Sequence, residues 1–75
     1  MTAQEWIEVF ARELDAEPPT EEEFNAMLEL AAVAAHDSER VAAPVACWIG
    51  GASGRPLAEL QRIAEGIGPA SEGED

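Results

Sequence analysis

The chain has no lysine, one cysteine, one histidine and no long apolar run. Each shortage removes a class of function. All four cations are arginine, set against 16 aspartates and glutamates, for a formal net charge of −12. That balance repels a phosphate backbone and an anionic bilayer surface alike, so neither nucleic acid nor membrane is an expected partner. Cys47 alone cannot close an internal disulfide, and no second soft ligand stands at zinc spacing from it. No metal and no cofactor is therefore expected. The chain opens on polar MTAQE, not on a basic and then apolar leader, and no segment approaches the roughly 18 consecutive apolar residues of a membrane span. A cytoplasmic protein is the simplest expectation. Seventy-five residues leave no space for several βαβ units of about 30 residues each, which excludes nucleotidyltransferase and dinucleotide-binding folds. No segment alternates apolar and polar over a strand's length, and no internal repeat is visible.

What is present is helical periodicity with its punctuation. Thr2 followed by Glu5 is a capping box, and Trp6, Val9, Phe10 and Leu14 recur behind it at helical spacing. AEPP stops that helix, because Pro18 and Pro19 cannot continue it. Thr20 with Glu23 repeats the capping box, and Glu21, Glu22 and Glu23 suit the positive end of a second helix dipole. Phe24, Met27, Leu28 and Ala31 form an apolar stripe there, and the alanines from Ala31 to Ala35 admit a close neighbour. The second helix should end within HDSER, where Arg40 would complement its negative end. Pro44 suits the first turn of a third helix, PVACWIGGAS, which lacks a strict polar face and so should be largely buried. Gly50 and Gly51 point to close packing or an early end, with Gly54 as a left-handed cap. Pro56 opens a fourth helix with Leu57, Leu60, Ile63, Ala64 and Ile67 on one face, ended by Gly66, Gly68 and Pro69. The expected fold is all-α: a compact bundle of about four short helices over 1–68, followed by a disordered acidic tail over 69–75.

Chemistry has few places to reside. In CWIGGASGR, Gly50, Gly51, Ser53 and Arg55 echo a phosphate-binding turn, but the glycines follow a helix where such a turn follows a strand, and no Lys-Ser/Thr pair comes after them. The segment therefore reads as a helix end. His36 and Cys47 are too few for a structural metal site, and a nucleophilic pair would need an oxyanion donor and a cleft that a domain this small has little room for. No enzymatic activity is expected. Arg40 and Arg55 flank the third helix and, with the backbone of Gly50 and Gly51, are the candidate contacts for an anion; their bland use is to hold helix ends or carboxylates. Trp6 and Trp48 read as core, with interface anchor as the use of a tryptophan left exposed.

The opening QEWIEVFARELDAEPP, the centre LELAAVAAHDSERVAAPVACWIGGASG and the final helix resemble a small actinobacterial helical domain of unknown function, found alone or joined to molybdenum cofactor guanylyltransferases. The resemblance covers nearly all of 1–68 and is most specific in an H-x-x-E-R-x-x-A-P pattern matched by His36, Glu39, Arg40, Ala43 and Pro44; Val41 departs from an expected proline. It implies a non-catalytic accessory or interaction module linked to molybdopterin-guanine dinucleotide biosynthesis, with a guanylyltransferase or an apo-molybdoenzyme as partner. Guanylyl transfer itself is not expected, since the nucleotidyltransferase domain is absent. The alternative is a binding domain for an anionic pterin or nucleotide, using Arg40, Arg55 and the Gly50–Gly54 backbone.

Overall fold

Both capping boxes form, and they set where the first two helices begin. The Glu5 N–H donates to Thr2 Oγ1 at 3.1 Å while the Thr2 N–H donates to Glu5 Oε1 at 2.8 Å. Thr20 and Glu23 reproduce the exchange at 3.1 and 2.9 Å. The computed structural model describes residues 1–68, and the expected acidic tail lies outside them. Among the described residues the chain is an all-α bundle of four helices, α1 Ala3–Glu13, α2 Glu21–Asp37, α3 Ala42–Ser53 and α4 Leu57–Ile67, with no strand.

The ends of the helices follow local chemistry. α1 closes before its prolines: Asp15 adopts a left-handed φ of 58°, the Ala16 N–H donates to the Ala11 carbonyl and the Asp15 N–H to that of Arg12. This is a Schellman ending, with an aspartate in the place glycine usually takes. α2 stops at Asp37, where the Ser38 hydroxyl donates back to the Ala34 carbonyl at 2.7 Å. α3 has no side-chain cap at its start and ends on Gly54, at φ 74°. α4 follows an extended Pro56, whose carbonyl takes the first helical hydrogen bonds from Glu59 and Leu60.

α2 is the hub. α3 packs against it most densely and α4 next, while α1 has little contact with any of the three. The three central helices meet at Gly50, which is buried. A Cβ built there would lie 2.8 Å from Leu60 Cδ1, so that methyl would have to shift, and 3.7 Å from Leu30 Cδ2, an ordinary contact; Gly50 is thus where α4 and α2 approach α3 most closely. Gly50 thus meets the expectation of close packing, whereas Gly51 next to it faces open space.

Packing departs from the sequence pattern on three of the helices. The stripe Trp6, Val9, Phe10 and Leu14 of α1 is exposed along its length, and the residues of α1 that turn inward are Ile7, half-buried, and Ala11, buried. α3 is not largely buried either. Its inner face is made of Ala42, Ala43, Ala46, Cys47 and Gly50, while Val41, Val45, Trp48 and Ile49 point outward. The reason is size. The alanines of α2 and the small residues of α3 allow two backbones to approach closely, and that approach leaves no space between them for valine, isoleucine or tryptophan. On α4, Leu57, Leu60 and Ala64 face inward as expected, but Ile63 and Ile67 remain exposed.

Candidate interaction surface

The two arginines proposed as anion contacts do not converge. Arg40 precedes α3 and Arg55 follows it, and a helix of 12 residues places its ends about 18 Å apart. Arg55 already pairs with Glu59, one turn into α4, in the one ion pair among the described residues. Gly50 and Gly51 lie in the last turn of α3, where carbonyls rather than N–H groups are left free, and a helix C-terminus carries the wrong partial charge for an anion. One of those carbonyls, on Gly50, accepts the Ser53 hydroxyl at 2.6 Å, and Ser53 Oγ in turn accepts the Arg55 N–H at 3.2 Å. CWIGGASGR is therefore a capped helix end, as its pattern suggested. Arg40 is exposed; its carbonyl accepts the Ala43 N–H at 3.1 Å, and its side chain makes no hydrogen bond or ion pair among the described residues.

Nor do His36 and Cys47 meet. The Cys47 thiol turns toward α2 and lies 3.9 Å from the Met27 carbonyl, while His36 is exposed nine residues further along that helix, about 13 Å away by helical rise. Burial against α2 pushes the Cys47 thiol above its ordinary pKa, the opposite of what a thiolate nucleophile needs. No group of three or more histidine, cysteine or acidic side chains among the described residues could hold a metal. No helix among them is long and apolar enough to cross a membrane.

The surface instead carries uncovered apolar side chains. Trp6 is 57% exposed and Phe10 52%, and their rings stack with centroids 5.1 Å apart and planes 26° from parallel. That pairing is the i, i+4 neighbourhood of a helix, so α1 orders its own aromatic face with no help from the bundle. Separately, Ile7, Pro19, Phe24, Met27, Leu28 and Leu57, with Glu17 and Glu23, line an open groove of about 390 Å³ where α1 borders α2 and α4; neither Trp6 nor Phe10 reaches it. Trp48, 72% exposed, belongs to a second apolar face on α3. The expectation that both tryptophans are core is thus overturned, and their alternative use as exposed anchors is the one the structure permits. Sequence reasoning passed over the rest of the α3 face, although the spacing of Val41, Val45 and Trp48 was legible; a helix apolar all round gives no sign of which side is inner.

Comparison with known proteins adds the family. The domain of unknown function DUF6457 matches residues 1–72, and the chain belongs to that family. No curated protein and no solved structure matches it.

Proposed function

Starting from this membership, we propose that the chain is a non-catalytic interaction module that engages a protein partner through the apolar face of α1. The observation that carries the reading is the stacked Trp6–Phe10 pair, more than half exposed on a helix that turns only Ile7 and Ala11 inward. A stacked, exposed aromatic pair is the form of an interface anchor, because such rings bury large area at small entropic cost. The net charge of −12 favours a partner with basic residues at the rim of its contact.

The sequence resemblance supplies the first partners to test and the proposed cytoplasmic setting: a molybdenum cofactor guanylyltransferase or an apo-molybdoenzyme awaiting its molybdopterin-guanine dinucleotide. Calorimetric titration of the purified chain into each, repeated with Trp6→Ala and Phe10→Ala, is the test. The expected result is binding to one of them that weakens by about tenfold or more in either variant, the scale of a buried aromatic anchor. No binding to either protein removes the cofactor-maturation reading. Binding that both variants retain unchanged removes α1 as the contact.

A further inference from the structure

The outer face of α3 is a separate surface, and we propose that it is the interface of a homodimer, covered by α3 of a second copy running antiparallel about a two-fold axis. Four observations select a second copy. The first is the seam itself: Val41, Val45, Trp48 and Ala52 are spaced four, three and four residues apart, the stagger of a helix that pairs along its length. An axis passing midway between positions 45 and 48 sets Val45 opposite the second copy's Trp48, and Val41 opposite its Ala52. The stripe is therefore self-complementary, as a two-fold interface requires.

The second is charge. No residue from Val41 through Gly54 is charged, in a chain whose net charge is −12. Nearly any other surface brought against its own copy would set carboxylates against carboxylates; this face brings none. The third is area. Val41, Val45, Trp48 and Ile49 are 70%, 56%, 72% and 58% exposed. Together they offer on the order of 500 Å² per copy, so two copies reach about 1,000 Å², the lower bound of a specific interface. The fourth is need. Among the described residues the buried apolar side chains are Ala11 and Leu30 alone, and chains of this size commonly require oligomerisation where the core is so small.

The α3 face is independent of the α1 contact, and one experiment separates the two. Sedimentation of the full chain from micromolar to submillimolar concentration should show a reversible shift from 8.0 kDa toward twice that mass. Val45→Glu and Trp48→Glu, both exposed in the single chain, should leave the far-ultraviolet circular dichroism unchanged and weaken self-association by about a hundredfold or more, since each copy would bury an unpaired carboxylate. Trp6→Glu should leave the mass distribution as it is. A second readout needs no interface mutation: in Trp6→Phe, Trp48 is the sole tryptophan, and its emission should move from a buried to a solvent-exposed wavelength on dilution. A chain that stays monomeric throughout, with Trp48 emission already that of exposed indole, overturns the proposal. So does a dimer that persists in both α3 variants, or one that is lost in Trp6→Glu instead, which would make α1 the contact between copies.

Discussion

α1 and α3 invert the ordinary relation between pattern and packing. α1 is the more amphipathic of the two, with a clean apolar stripe and acids opposite it, and the bundle leaves that stripe in solvent. α3 has scarcely any polar face, and its packing against α2 is the densest among the described helices. The difference teaches that the size of side chains, rather than their segregation, decided which helix sits closest to α2. Alanine on α2 meets alanine, cysteine and glycine on α3, and the contact is backbone-close; α1 turns only Ile7 and Ala11 toward the bundle and leaves its tryptophan, phenylalanine and leucine in solvent.

That comparison can be broken at several points by urea denaturation at fixed protein concentration. The largest effect belongs to Leu30→Ala, at the junction of the three central helices, which should cost about 3 kcal/mol as a core truncation that leaves a cavity. Gly50→Val comes next, at about 2 kcal/mol, because its Cβ would already overlap Leu60 and the branches add to the overpacking. Removing the two capping boxes sharpens the contrast between peripheral and central helices. Thr20→Ala should lower global stability by about 1 kcal/mol, whereas Thr2→Ala should mainly fray α1, seen as faster amide exchange there with the denaturation midpoint nearly unmoved. Gly51→Ala should act in the opposite sense from its neighbour, stabilising by about 0.8 kcal/mol through helix propensity in open space. The smallest effect is Trp6→Ala, within about 0.5 kcal/mol by the same denaturation, since an exposed side chain contributes little to folding. A large loss there would show that α1 closes onto the bundle in solution.

Much of the fold was legible because its signals are local. Thr2 and Thr20 with their glutamates announced two helix starts, Gly54 announced an end, and Pro18, Pro19 and Pro56 bounded the segments. Asp15 was not legible as a helix ending, because an aspartate in the left-handed region is uncommon and its hydrogen bonds involve only backbone. The candidate site was half legible. Trp6 and Trp48 could be singled out by residue type, but assigning them to core or surface required knowing which side of each helix the neighbours occupy. Arg40 and Arg55 flank α3 and are held apart by its length, and the last turn of α3 offers carbonyls rather than N–H groups at Gly50 and Gly51.

By itself, then, the sequence determined that four helices form and nearly where each begins and stops. These follow from hydrogen bonds and steric limits that span at most one helical turn. Only the tertiary structure decided that α2 is the central helix, that α3 turns its small residues in and its large ones out, and that the aromatic face of α1 stays uncovered. Each of those depends on which surfaces compete for the same neighbour, and here the close fit of small residues won over the larger apolar area that bulky ones would have buried.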